Sequence, residues 1–186
     1  MKEFPFKDVT KEDNWSYDDI YYVWENGLMN GMDEDEFAPA ATTTRAQFAT
    51  VIYRMAGSPE VTKADYAKCR FTDLKQEWYM DAVVWAFNEG VVKGTSDTTF
   101  SPDDQITREQ MVAMLYRYAG ADAGEGDLSK ITDAASISEY AQPAVAWAVQ
   151  NGIVTGMPDG SFQPQGKATR EQMAAIIARF DRAKKA

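Results

Sequence analysis

The sequence contains no histidine and one cysteine, Cys69. Without histidine the commonest general base is missing, and with it the usual Ser–His and Cys–His pairs. One cysteine and no histidine cannot build the ligand spacing of a zinc site, and a lone thiol closes no internal disulfide. Cys69 reads as a small structural residue in a connecting segment. Basic residues are also in short supply: 19 Lys and Arg against 29 Asp and Glu leave a net charge of −10. A nucleic-acid partner held by bulk charge is thereby excluded, and any polyanion would need local basic groups working against the overall field. No apolar run approaches the roughly 18 residues of a membrane span, so membrane insertion is not expected. Met1-Lys2-Glu3-Phe4 has no apolar signal core, so an exported protein would carry its signal in a part upstream of this sequence. No cofactor is expected.

What is present can bury a core: hydrophobic residues make up 45% of the 186, with five Trp, nine Tyr and nine Phe. The dominant feature is an internal repeat. Gly27-Leu28-Met29-Asn30-Gly31 recurs as Gly90-Val91-Val92-Lys93-Gly94 and as Gly152-Ile153-Val154-Thr155-Gly156. At one fixed distance follow Phe37 and Pro39, Phe100 and Pro102, Phe162 and Pro164. Then come Thr44-Arg45-Ala46-Gln47, Thr107-Arg108-Glu109-Gln110 and Thr169-Arg170-Glu171-Gln172, and finally a closing arginine: Arg54, Arg117, Arg179. The period is roughly 60 residues, longer than most solenoid repeats. Each unit opens on an Asp-containing phrase around Asp8, Asp73 or Asp133, and linkers run from Ser58 to Arg70 and from Ala121 to Lys130. The boundaries expected are 1–57, 58–120 and 121–186.

Each unit reads as helix, loop, helix. The first helix is clearest over Met80 to Glu89 and Pro143 to Asn151, where Pro143 suits a first-turn position. Gly90 and Gly152 stand where a left-handed helix stop requires glycine. The second helix starts at the Thr-Arg motif and carries an apolar stripe, such as Met111, Met114, Leu115 and Tyr118, which is core and carries no functional weight. Strand signals are weak, so the fold is expected to be mostly α.

Thr followed three residues later by Gln is a capping box, worth about 1 kcal/mol. The arginine between them is not explained that way, because a cation in the first turn opposes the helix dipole. Two readings stay open for Arg45, Arg108 and Arg170. They could hold an anion together with free helix N–H groups, or pair with a neighbouring Asp8, Asp73 or Asp133. Arg54, Arg117 and Arg179 sit at helix ends where a cation is favourable without any ligand. Trp85 and Trp147 occupy matching positions in the first helices, with Tyr22 in the first unit, while Trp15, Trp78 and Tyr140 precede those helices. Such aromatics pack on a sugar ring if exposed and are simply core if buried. Gly31, Gly94 and Gly156 would let a loop backbone approach a ligand, or serve turn geometry alone.

Gly-x-x-x-Gly, then Phe-x-Pro, then Thr-Arg-[Ala/Glu]-Gln before an amphipathic helix resembles the S-layer homology module, in three consecutive copies covering nearly the whole chain. The resemblance implies a pseudo-three-fold assembly of three helix-loop-helix repeats. One helix from each would enter a central three-helix bundle, with grooves between neighbours. It further implies non-catalytic anchoring to secondary cell-wall polysaccharide outside a bacterial cell, commonly through a pyruvylated sugar, with neighbouring surface-layer proteins as further partners. Arg45, Arg108 and Arg170 would contact the acidic group, and Gly31, Gly94, Gly156, Trp85, Trp147 and Tyr22 would be the second rank of ligand-binding residues. A pyruvyl ketal presents one carboxylate on a neutral sugar, which a single Arg can hold without a basic surface. The sequence departs from the family where Gln47, Gln110 and Gln172 replace a frequent Glu, where Tyr22 replaces Trp, and where Ile131 opens the third unit, so the grooves are not expected to be equivalent. A protein-interaction or self-assembly module is the alternative from another class. A two-carboxylate glycosidase finds no marked pair in the sequence. Asp33-Glu34-Asp35-Glu36 lacks the glycine and terminal Glu of an EF-hand loop and reads as a solvated acidic turn.

Overall fold

The computed structural model describes residues 3–122 and 127–186, so part of the second linker and the first two residues lie outside the described residues. The first unit contributes α1 (Tyr17–Glu25) and α2 (Arg45–Met55), and the first linker holds a short α3 (Lys63–Lys68). The second unit contributes α4 (Glu77–Asn88) and α5 (Arg108–Ala119), and the third α6 (Gln142–Gln150) and α7 (Arg170–Lys185). Three single-turn 3₁₀ segments precede α6. Among the described residues there is no strand, only isolated bridges.

Local chemistry sets these boundaries. At α2, α5 and α7 the Thr hydroxyl accepts from the Gln backbone N–H while the Gln side chain accepts from the Thr backbone, closing both halves of the capping box. The first helices stop at Gly27, Gly90 and Gly152, at φ of 69°, 74° and 66°. The N–H of the following Leu28, Val91 and Ile153 then returns to the carbonyls of Val23, Ala86 and Ala148 at 2.8, 2.8 and 2.9 Å. α4 begins a turn earlier than its apolar pattern predicts, because Tyr79 in that turn is fully buried and its hydroxyl accepts from the Lys75 N–H at 3.0 Å. α3 is unannounced by periodicity; a capping box between Thr62 and Asp65 starts it.

The loops are anchored by Phe37, Phe100 and Phe162, all fully buried, each worth roughly 1.5–3 kcal/mol. The next residue, Ala38, Ser101 or Gln163, lies at φ 56°, a left-handed conformation that costs about 1–2 kcal/mol for a residue with a Cβ. The opening aspartates offset it. Asp133 accepts from the Phe162 N–H at 2.7 Å and from the Gln163 N–H at 2.8 Å. Asp8 and Asp73 do the same for Phe37–Ala38 and Phe100–Ser101. These carboxylates are therefore loop clamps, and among the described residues none forms an ion pair with a motif arginine.

The units close on one another in a ring. Each second helix packs on the first helix of the next unit: α2 on α4, α5 on α6, and α7 back on α1. Just before the second helices, three strand-like residues form a closed triangle of backbone hydrogen bonds. Thr43 N–H donates to Ala168 O (3.0 Å), Ala168 N–H to Ile106 O (2.9 Å), and Ile106 N–H to Thr43 O (2.9 Å). The helix–helix seams differ in chemistry. Trp85 sits between Tyr53 and Tyr118, and Trp147 between Tyr116 and Phe180, with ring centroids 5.6 to 6.1 Å apart. The α1–α7 seam is polar instead. There Tyr22 donates to Asp181 (2.9 Å), and Asp19 accepts from Arg182 (2.6 Å) and lies 3.7 Å from Arg179.

Candidate functional site

The helix N-termini cannot serve an anion. The N–H groups of Arg45 and Ala46 donate to Asp104 O and Pro102 O, those of Arg108 and Glu109 to Gly166 O and Pro164 O, and those of Arg170 and Glu171 to Ala41 O and Pro39 O. With the third N–H taken by the threonine cap, the donors that the anion reading invoked are committed to ring closure. The Glu109 carboxylate is spent similarly, on the Ser138 N–H (3.0 Å) and hydroxyl (2.6 Å) of the third unit. Glu171 takes the Ser16 hydroxyl at 2.9 Å.

The motif arginines reach across to the neighbouring unit. Arg45 Nε donates to Phe100 O at 2.9 Å, Arg108 Nε to Phe162 O at 2.7 Å and Arg170 Nε to Phe37 O at 2.7 Å. Each guanidinium lies over the same phenylalanine ring, 4.8, 5.1 and 4.5 Å from its centroid. All three are buried, and burial pushes their pKa below the usual guanidinium value, partly countered by Asp104, Asp133 and Asp8 respectively. They stay protonated at neutral pH. Among the described residues the terminal nitrogens of Arg45 and Arg108 have no protein partner and none of them is fully buried, whereas Arg170 also donates from Nη2 to Asn30 O at 2.6 Å.

Three grooves follow, each assembled from all three units. One, of about 410 Å³, is lined by Arg108, the Thr155–Gly156 loop, Arg179 and Trp15. A second, of about 230 Å³, is lined by Arg170, the Asn30–Gly31 loop, Arg54 and Trp78. The third, of about 400 Å³, is lined by Arg45, the Lys93–Gly94 loop, Arg117 and Tyr140. Every groove thus takes its loop and closing arginine from one unit, its motif arginine from the preceding unit and an aromatic from the following one. The closing arginines also tether their loops, donating to Leu28 O, Val91 O and Ile153 O at 3.4, 3.5 and 3.3 Å.

Gly31, Gly94 and Gly156 line the grooves, and the first two also have a packing reason, while Gly156 has only its φ of 79°. A Cβ on Gly94 would lie 2.6 Å from Phe71 Cε1 and 2.5 Å from Thr99 O, and one on Gly31 2.5 Å from Phe6 Cε1. Trp85, Trp147 and Tyr22 are not brought to the grooves; they occupy the seams described above, because their positions face the preceding unit's second helix. The aromatics at the groove mouths are Trp15, Trp78 and Tyr140, exposed at 62%, 53% and 53%. The closing arginines escaped notice as ligand groups because helix-end electrostatics explained them. A signal existed: each stands nine residues after its motif arginine, about half a turn out of phase, so every second helix presents one arginine to each of two grooves. In the acidic turn, Asp33 accepts from the backbone of Asp35 and Glu36, Asp35 pairs with Lys7, and no metal-binding cluster occurs among the described residues.

A closed ring of three units carrying paired-arginine grooves is a binding module in its class. The sequence profile of the S-layer homology domain matches residues 5–49, 70–112 and 130–174, and the chain belongs to that family. Similar proteins include an endoglucanase of Bacillus sp. (strain KSM-635), 36% identical over 94% of this chain and 18% of its own length. A surface-layer 125 kDa protein of Lysinibacillus sphaericus is 28% identical over 92% of this chain and 14% of its own length. A cellulosome-anchoring protein of Acetivibrio thermocellus is 27% identical over 82% of this chain and 35% of its own length. The chain therefore spans a minor part of the relatives it matches. Family membership places it outside the cell, at the wall, as a surface-anchoring module. No described helix is long and apolar enough to cross a membrane.

Proposed function

We propose that the chain tethers the protein containing it to secondary cell-wall polysaccharide, without catalysis, by seating an acidic sugar such as a pyruvylated residue in the inter-unit grooves. The observation that carries this reading is the convergence of a motif and a closing arginine in every groove, with the motif arginine free of any carboxylate partner among the described residues. A buried guanidinium without a counter-ion is costly, and a ligand carboxylate supplies the missing charge with a matching fork. The exposed Trp15, Trp78 and Tyr140 offer a sugar an apolar face beside that charge. An acidic protein thereby selects a sparsely charged glycan in preference to nucleic acid.

The same aromatics favour the second reading, a protein-interaction or self-assembly surface. Sedimentation of isolated cell walls separates the two. The glycan reading expects wall binding that falls when Arg54, Arg117 and Arg179 are all changed to Gln, while the chain stays monomeric. Unchanged wall binding, or concentration-dependent oligomers with no wall affinity, would favour protein contact.

A further inference from the structure

The three grooves are not equal, and the difference lies around Arg45. Two cavities meet there. The groove of about 400 Å³ lined by Lys93, Arg117 and Tyr140 adjoins a second of about 380 Å³ lined by Asp104, Gln105 and Lys167, and Arg45, Thr95 and Gln110 line both. The second cavity lies between the second and third units, whose backbones meet at the Thr107–Lys167 bridge. The trough therefore carries Arg45, Arg117, Lys93 and Lys167 against one lining carboxylate, Asp104, and among the described residues neither arginine nor either lysine is in an ion pair.

The repeat shows what is particular to this trough. Lys93 corresponds to Asn30 and Thr155, and Lys167 to Thr42 and Gln105. The Arg108 and Arg170 grooves thus have neutral residues where this one has ammonium groups. Their arginines are also more committed: Arg179 lies 3.7 Å from Asp19, and Arg170 gives a second hydrogen bond to Asn30 O. Among the described residues Arg45 and Arg117 have neither an ion pair nor a second hydrogen bond from the guanidinium. The Asp104 charge offsets part of the burial of Arg45, and repulsion from Arg117 is a smaller cause that adds to it.

Building on the proposed glycan reading, we infer that the Arg45 trough holds two successive acidic residues of the polysaccharide, one between Arg45, Arg117 and Tyr140 and the next beside Lys167. The first cavity seats a carboxylate on the guanidinium pair, with the ring against Tyr140. The chain continues past Thr95 and Gln110 into the second cavity, where Lys167 meets the second anionic group and Asp104 accepts from sugar hydroxyls. An ammonium on a flexible stem is suited to this role, since it demands no fixed ligand geometry.

The test is calorimetric titration of the intact chain with a pyruvylated disaccharide bearing one acidic group and a tetrasaccharide bearing two. Both are run on the wild type and on Lys167→Thr, which places there the residue found at position 42. The tetrasaccharide should bind the wild type more tightly than the disaccharide. Lys167→Thr should weaken the tetrasaccharide by about two- to fivefold, the range of an exposed ion pair, and leave the disaccharide unchanged. Equal effects on both sugars, or none on either, overturn the two-residue trough while leaving single-residue binding in place. If neither sugar binds the wild type, the glycan reading itself falls and this inference with it.

Discussion

Replacing Asp133 with Asn tests the claim that the loop clamp, and through it the arginine anchor, is built from that carboxylate. Asp133 holds two backbone donors, Phe162 N–H at 2.7 Å and Gln163 N–H at 2.8 Å, and fixes Gln163 at φ 56°. The carbonyl of Phe162 in turn receives Arg108 Nε. Asn retains one acceptor but turns an NH₂ toward the other N–H. One charge-assisted bond is lost, worth about 1.5–3 kcal/mol. Gln163 is exposed, so water recovers part of this for its N–H, and the expected net loss is about 2 kcal/mol. For a domain of this size that lowers the melting temperature by roughly 4–8 °C. Urea unfolding followed by circular dichroism measures it. A loss below about 0.5 kcal/mol, the scatter of an ordinary surface substitution, would refute the clamp.

Gly90 and Gly94 both lie at positive φ, so Ala at either costs about 1–2 kcal/mol for the left-handed backbone. Gly90→Ala meets nothing within 4 Å and should lose no more than that. A Cβ on Gly94 would lie 2.5 Å from Thr99 O and should add about 1–3 kcal/mol, a difference that urea midpoints measure. Asp19→Asn removes the carboxylate facing Arg182 and Arg179 in the polar α1–α7 seam. Its destabilisation should shrink as salt rises, unlike that of Trp147→Ala in an aromatic seam. Burial first, then the hydrogen bond to Asp81, pushes the Tyr66 phenol from 10 up to about 12. The fold favours the neutral phenol, so its contribution to stability is complete below pH 10 and disappears as pH rises through about 12. Tyr21, Tyr53 and Tyr140 are also raised, so ultraviolet titration should show a late-ionising group of tyrosines whose amplitude Tyr66→Phe reduces. A chain ending at residue 120 lacks side chains that every groove requires, so it should lose wall binding in a sedimentation assay.

Much of the fold was legible because it is local. Capping boxes, glycine stops and an apolar stripe each declare themselves within a few residues, and threefold recurrence fixed their registration. The α3 helix escaped because it is too short for periodicity to register. The roles of Asp8, Asp73 and Asp133 were not legible either, since they depend on backbone N–H groups 27 to 30 residues away and on a left-handed residue that carries no glycine to mark it. That the motif arginines share a setting was legible, but the assembly of the candidate grooves they line was not. Trp85 and Trp147 match by register and look like ligand platforms, yet only the ring closure reveals that this register faces the preceding unit's second helix. The same closure carries Trp15, Trp78 and Tyr140 to groove mouths and consumes the helix N–H groups that an anion would otherwise use.

The central claim is that grooves with paired arginines hold an acidic wall sugar. Titration with a pyruvylated wall disaccharide, against its depyruvylated counterpart as control, measures it most directly. Heat should accompany only the pyruvylated sugar, and Arg117→Gln should reduce the number of binding sites or their affinity without altering the helical spectrum. Equal affinity for the two sugars would contradict the arginine–carboxylate account, and no binding of either sugar by a chain that still sediments with cell walls would require a different wall ligand.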